Sequence, residues 1–265
     1  TGRLSFVFRD LREGSELDRV ITAADAVVHA AAPLAGSGNA LELDVRVHGT
    51  LALLGAIERR APGAHLVLLS DAGVYGDPLM VRGGTAMFAA REAQSTTPST
   101  PAAAAAACAE QYVFAAGRSA ARKATVLRVP VIYASDPVYA TGDEFPARLA
   151  RAARTGTPLA AIRDPRWPFD LVHVDDVTSA LLRVLARPER SAGEVFNVGG
   201  GARLAPSVWD MTQHLTALGG RAQLLPPLAE AGPPPVLDVT RIRRVLGWEP
   251  SVAWQEGLSR LFAVA

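Results

Sequence analysis

The chain has 265 residues, with 27 lysines and arginines against 26 aspartates and glutamates, for a formal net charge of +1. That balance gives no reason to expect nucleic acid or an anionic membrane as a partner, and no apolar run reaches the length of a bilayer span. A chain of this length buries a large core, as one domain or as two unequal ones. Cys108 is the one cysteine and cannot pair within the chain, and no basic-then-apolar leader opens the sequence. A reducing, cytoplasmic compartment is the simplest reading.

Taken in chain order, short apolar runs alternate with helix-like stretches. Leu4 to Phe8 reads as a strand and Glu13 to Thr22 as a short helix. Ala26 to Ala30 reads as a buried strand ending in small residues, Leu41 to Arg59 as a long amphipathic helix, and Ala64 to Leu69 as another buried strand. The segment from Tyr75 to Pro98, with Met80, Met87 and Phe88, breaks the rhythm; it reads either as a lid near a site or as a surface excursion. Thr100 to Gly117 is a helix with Thr100 as N-cap and Pro101 in the first helical position. Ala124 to Ile132 is a strand, Pro146 to Arg154 a helix, and Phe169 to Val172 a short strand. Asp176 to Leu185 follows as a helix whose opening acids suit its dipole, and then Val195 to Val198 as a strand. The prolines at 226–227 and 233–235 mark a loop. Apolar strands without alternation, separated by helices, indicate an α/β fold with a parallel sheet covered on both faces.

Several motifs then fall in a specific order. They include Phe8-Arg9-Asp10-Leu11-Arg12, Asp25-Ala26-Val27-Val28-His29-Ala30-Ala31-Ala32, Gly49-Thr50 and Ser70-Asp71-Ala72-Gly73-Val74-Tyr75-Gly76. Leu127-Arg128-Val129-Pro130, Phe169 to Val177, Phe196-Asn197-Val198-Gly199 and Leu246-Gly247-Trp248-Glu249-Pro250 follow. Together they resemble the extended short-chain dehydrogenase/reductase family, which contains nucleotide-sugar epimerases and dehydratases. The resemblance implies a Rossmann-type doubly wound parallel sheet and a cofactor, NADP(H) or NAD(H). It implies a dinucleotide-binding domain at 1–145 with return elements at 169–201, and a smaller mixed α/β substrate-binding portion from 146–168 and 202–265. By the same resemblance Asp10 and Leu11 border the adenine, and Ala30, Ala31 and Ala32 leave room for the pyrophosphate and ribose. Ser70, Val129 and Pro130 lie beside the cofactor.

Two departures from the family shape the functional reading. The family opens with a strand and the fingerprint G-x-x-G-x-x-G, which this sequence does not contain. A sheet beginning at the third strand is expected to leave a hole in its middle, so a preceding βαβ portion of roughly 30 residues or more is expected. The second departure is Pro101-Ala102-Ala103-Ala104-Ala105-Ala106-Ala107-Cys108-Ala109-Glu110. Aligned without a gap, it puts Ala102 at the family's catalytic tyrosine and Ala106 at its lysine. Asp71 stands at the catalytic Ser/Thr and Arg46 at the helix asparagine. The single lysine of the chain, Lys123, sits at a strand entrance, where solvation is expected rather than catalysis. Ser70 is left as a weak catalytic candidate.

General acid catalysis of the missing kind contributes about 10²–10⁴-fold, whereas hydride chemistry belongs to the cofactor. A ketone that carries its own acid tolerates the loss, as an aromatic polyketide does when a phenol neighbours its carbonyl. The chain is also similar to an atypical, angucyclinone-reducing branch of the family that lacks the tyrosine. The expected function is therefore an NAD(P)H-dependent ketoreductase acting on an angucyclinone-like ketone, with protonation by the substrate phenol or water. Asp71, Met80, Met87, Phe88 and Tyr133 are the expected substrate contacts. The alternatives are a dinucleotide-binding sensor or scaffold and, behind it, a nucleotide-sugar epimerase or dehydratase. His29 and His173 read as structural, and no metal-ligand spacing is present.

Overall fold

The computed structural model describes residues 4–33, 37–76, 89–119, 123–160, 164–201, 205–226 and 235–265. The strands are β1 (Ala26–His29), β2 (His65–Asp71), β3 (Ala124–Val129), β4 (Val131–Tyr133), β5 (Pro158–Ala160), β6 (Leu171–His173), β7 (Val195–Asn197) and β8 (Gln223–Leu225). The helices are α1 (Gly14–Ile21), α2 (Asn39–Leu43), α3 (Gly49–Arg60), α4 (Pro101–Ser119), α5 (Pro137–Ala140), α6 (Phe145–Thr155), α7 (Val174–Ala186), α8 (Pro188–Ser191), α9 (Val208–Ala217), α10 (Thr240–Leu246) and α11 (Trp254–Val264). The main sheet is parallel in the order β1-β2-β3-β7. Two parallel pairs, β4 with β6 and β5 with β8, complete the ladders.

Alternation along β3 sorts the core onto the two faces of the sheet. Val126 packs with Leu53, Ile57 and Val113 on the side of α1, α3 and α4. Leu127, the next residue, packs with Val184, Phe196, Ile242 and Trp248 on the opposite side. Residues 242–248, grouped by sequence with the smaller portion, thus fill the core of the main sheet. A separate apolar cluster joins Tyr133, Phe145, Leu149, Phe169, Met211, Leu215 and Leu258.

Several expectations from sequence are corrected. Leu4 to Phe8 forms no strand: Leu4, Phe6 and Phe8 are exposed and unpaired among the described residues. A β-propensity run becomes a strand only when a neighbour takes its backbone groups. Among the described residues β1, β2, β3 and β7 pair without interruption, and β1 lies at an edge. For that reason β1 is not buried throughout; Val28 is exposed, whereas every residue of β3 is buried. The strand expected over 124–132 is broken at Pro130, which has no N–H to donate, and its second half pairs instead with β6. The long helix expected over 41–59 contains a π-helical turn at Asp44–His48 between α2 and α3. Just after that turn, Gly49 lets Leu11 approach so closely that a Cβ would lie 2.8 Å from Leu11 Cδ2.

Thr100 caps α4 as expected, accepting from the Ala103 N–H at 3.2 Å. Asp176 does more than face a helix dipole. It is buried in α7 and accepts from Ser251 N at 2.7 Å, Ser251 Oγ at 2.7 Å and Val252 N at 3.0 Å. Asp170 plays a similar clamping role, accepting from Gly200 N at 2.9 Å and Leu237 N at 2.8 Å. Burial pushes its carboxyl up to about 7, against those backbone N–H groups. The native state therefore holds a proton on Asp170 at pH values where the unfolded chain has lost it. Stability attributable to this group falls as pH rises from about 4 to about 7. Denaturant titrations across that window should show a steeper decline for the wild type than for Asp170→Asn; parallel curves would contradict this account.

Candidate active site

Parallel strands place their C-terminal ends and the following loops on one edge of the sheet, where α/β proteins bind ligands. There a small cleft, a cavity of about 10 Å³, is lined by His29, Ala31, Arg46, Leu68, Leu69, Ser70, Ala106 and Ala109. Ala106 and Ala109 come from α4, Arg46 from the π-turn, and the others from β1, β2 and their ends. Ala102, one turn before Ala106, is half-buried. Methyl groups thus stand at both positions that the family resemblance assigns to tyrosine and lysine.

Beside the cleft runs a buried polar chain. The Ser70 hydroxyl donates to Glu110 Oε1 at 2.5 Å. Arg128 donates to the same carboxylate through Nε at 3.0 Å and Nη2 at 2.6 Å. Its guanidinium lies 4.7 Å from the centre of the Tyr75 ring. The Tyr75 hydroxyl donates to Asn197 Oδ1 at 2.7 Å, and Asn197 Nδ2 donates to Ala90 O at 2.8 Å. Burial opposes the Arg128 charge, but the hydrogen bonds and charge of Glu110 outweigh it and hold its pKa above the ordinary value. Burial also raises the Tyr75 phenol, with Arg128 opposing.

This chain corrects Ser70 as a catalytic candidate: its proton is committed to Glu110 and is not free for a substrate oxygen. Asp71 is bound into the following turn, accepting from Gly73 N at 2.7 Å. Tyr133 is corrected as a substrate contact. It is 1 % exposed, lies in the second core, and its hydroxyl sits where a Cβ on Gly257 would fall, 2.1 Å away. Alternation along β4 turns Val131 and Tyr133 to that core and Ile132 to the other. Met80, Met87 and Phe88 lie outside the described residues. Ala30, Ala31 and Ala32 are exposed past the end of β1, while Val129 and Pro130 are buried at the end of β3. Leu11 packs at Gly49, and Asp10 accepts from Arg12 Nε at 2.9 Å and Nη2 at 2.6 Å, which lowers its carboxyl to about 2. Lys123 is exposed, as expected.

His29 has a fixed tautomer. Thr50 Oγ1 donates to Arg46 O at 2.5 Å, so His29 Nε2, at 2.9 Å from the same oxygen, must be the donor. Burial, with the nearby Arg46 charge, lowers this imidazole to about 4. It is a neutral strut at the cleft wall. His173 is likewise structural, accepting from Asp175 N at 3.3 Å as the cap of α7.

Sequence reasoning used Glu110 only as a landmark and missed the buried pair it forms with Arg128. The available signal was a charged residue inside an apolar strand, which requires a partner. It also missed that Arg46 enters the cleft, because a π-turn shifts the side-chain rows that follow it.

The model of the NAD dependent epimerase/dehydratase family matches residues 1–199. The chain belongs to this family. Among family relatives, the CDP-paratose 2-epimerase of Salmonella typhi is 22 % identical over 285 residues, covering 98 % of this chain and 84 % of the relative. The UDP-glucose 4-epimerase of Thermotoga maritima, solved with UDP-glucose, superposes with a TM-score of 0.80 at 25 % identity, over 97 % of this chain and 82 % of that one. MoeE5, solved with UDP-glucuronic acid and NAD, gives 0.80 at 25 % identity over 97 % and 84 %. The fold is the Rossmann-type fold of these structures.

Exposed alanines end β1, and the cleft beyond them is walled by methyl groups and one cation. Among the described residues there is no helix long and apolar enough to cross a membrane and no cluster of groups suited to a metal ion.

Two measurements check the site. Glu110→Ala leaves Arg128 as an unpaired buried charge and should lower stability by about 3–5 kcal/mol in denaturant titration; a loss under about 1 kcal/mol, in the range of a surface pair, would overturn the buried-pair account. By NMR, His29 should carry its proton on Nε2 at neutral pH and titrate at about 4. A midpoint near the ordinary 6.5 would contradict the tautomer and burial described.

Proposed function

We propose that the chain is an NAD(P)H-dependent ketoreductase that works without a protein proton donor, on a ketone flanked by a phenol in an aromatic polyketide of the angucyclinone type. The observation that carries this reading is the cleft wall. Its helix face offers only the methyl groups of Ala106 and Ala109, with Ala102 one turn before them. Its one hydroxyl, on Ser70, is committed to Glu110, its imidazole is buried and neutral, and its guanidinium does not give up a proton.

When bound, the reduced nicotinamide supplies a hydride to the carbonyl carbon. The carbonyl electron pair moves to oxygen as the new C–H bond forms. The resulting alkoxide takes a proton from the adjacent phenol or from water, and the phenolate regains one from solvent. The residues of this chain hold the reactants. Ala30 to Ala32 and Val129-Pro130 border the dinucleotide, and Asp71 meets the substrate. Positioning of this kind supplies much of the acceleration.

The relatives named above favour a second reading, a nucleotide-sugar epimerase or dehydratase. Such a cycle removes a hydrogen and returns it, so it needs a tuned base as well as an acid, and the cleft wall offers neither. A dinucleotide-binding sensor is the third reading, since the fold serves recognition equally well.

Reduced-nicotinamide absorbance, followed with hydroxylated polycyclic ketones and their phenol methyl ethers, separates these readings. The expected result is turnover of the free phenols that falls about 10²-fold or more on methylation, the range of general acid catalysis. Undiminished turnover of the ethers would overturn substrate-assisted protonation. Dinucleotide binding without oxidation across the panel would favour the sensor, and conversion of UDP- or CDP-sugars would favour the epimerase.

A further inference from the structure

A second depression lies away from the sheet edge, where the ends of α6, α9 and α11 come together. It holds about 440 Å³ of free space, and its lining includes Arg154, Leu218, Gly219, Arg221, Ser259 and Phe262. That volume lies within the range of about 300–1,000 Å³ typical of small-molecule sites. Helix C-termini carry partial negative charge and by themselves would favour a cation. Here their last carbonyls are already occupied. Arg154 Nη1 donates to Phe262 O and Ala263 O, both at 3.0 Å, and so closes the end of α11. At the end of α6, Gly156 N donates to Ala152 O at 2.8 Å and Arg221 N to Ala153 O at 2.6 Å. At the end of α9, Gly220 N donates to Leu215 O at 2.9 Å. The Ser259 hydroxyl is committed to Gln255 O at 2.7 Å.

The donors left over belong to guanidinium groups. Arg221 is exposed, and its side chain makes no hydrogen bond or ion pair among the described residues. Its stem lies along Gly156, with Nε 3.8 Å from where a Cβ there would stand. Arg154 keeps Nε and Nη2, and no carboxylate lines the groove. Beside the two cations stand Leu218, 45 % exposed, and the half-buried ring of Phe262. Guanidinium groups with unused donors select a planar oxyanion, and the apolar wall selects a body that leaves water.

We infer that this groove binds a small amphipathic anion, an acidic oxyanion group carried on an aromatic or acyl body. Arg221 and Arg154 meet the oxyanion, while Leu218 and Phe262 cover the body. None of these residues lines the cleft at the sheet edge, so the inference stands apart from the chemistry proposed there.

The test titrates the full chain with three probes: anilinonaphthalene sulfonate, which joins an anion to an aromatic body; phenylnaphthylamine, which has a similar body without the charge; and inorganic phosphate, which has charge without the body. The first two are followed by fluorescence and the third by its competition with the first. The anionic dye is expected to bind at least about tenfold more tightly than the neutral one, and phosphate to compete only weakly. Arg221→Gln should weaken the anionic dye by about tenfold or more, the scale of one hydrogen bond between charged groups, and leave the neutral dye unchanged. Leu218→Asp, at an exposed position where folding is not at stake, should abolish binding of the anionic dye. Backbone amide NMR locates the site: the signals of Leu218, Gly219, Ser259 and Phe262 should move on titration, and those of Ala31 and Ser70 should not. Shifts confined to the sheet edge, equal loss of both dyes in Arg221→Gln, unchanged binding of the anionic dye in either variant, or a wild-type chain that binds none of the probes would each overturn the inference.

Discussion

Glu110 and Arg128 meet where β2, β3 and α4 converge, and most of the site follows from that meeting. Neither charge has access to water, so each requires the other. A buried carboxylate or guanidinium alone would be strongly destabilising, while a hydrogen-bonded pair fixes geometry at modest net cost. The pair takes the Ser70 proton on one side and seats the Tyr75 ring on the other. Through Tyr75 and Asn197 it reaches the backbone at Ala90. A network of this kind is worth more as a unit than as separate bonds, and it rigidifies what it touches. It holds the sheet edge still while taking from that edge the one hydroxyl that might have exchanged a proton with a ligand.

The composition of α4 acquires a physical meaning from this arrangement. Alanine is the best helix former, so the run from Ala102 to Ala107 costs the fold nothing. It also lets the helix lie close to β2 and to the π-turn, close enough for Glu110 to enter the core. A helix with long side chains at 102 and 106 would present its own chemistry to the cleft. This one presents a wall, and the charged groups around it come from elsewhere.

The parts of the fold that depend on local pattern were legible. β2, α4, α6 and β7 lie close to where their apolar runs and caps place them, and Thr100 caps as its type and position require. The ordered motifs from Phe8 to Pro250 carried the family resemblance, which the matched family model bears out. Less legible were features that depend on what sits opposite. Leu4 to Phe8 has strand composition but no partner among the described residues. Tyr133 reads as a phenol at a strand end, yet β4 turns it into the second core against Gly257. Asp176 and Asp170 read as ordinary acids, and each proves to clamp a distant backbone segment.

The sequence by itself determined the family, the parallel sheet and the alanines at the positions that the resemblance assigns to tyrosine and lysine, because residue order and side-chain identity are local facts that no packing alters. Tertiary structure alone decided what each remaining polar group pairs with. Ser70 lost its proton to Glu110, forty residues away, and His29 became a neutral strut through Thr50. Arg46 entered the cleft through a π-turn that no periodicity announces. Each outcome depends on a partner distant in sequence, and in a poorly solvated interior the partner determines whether a polar group is free to react.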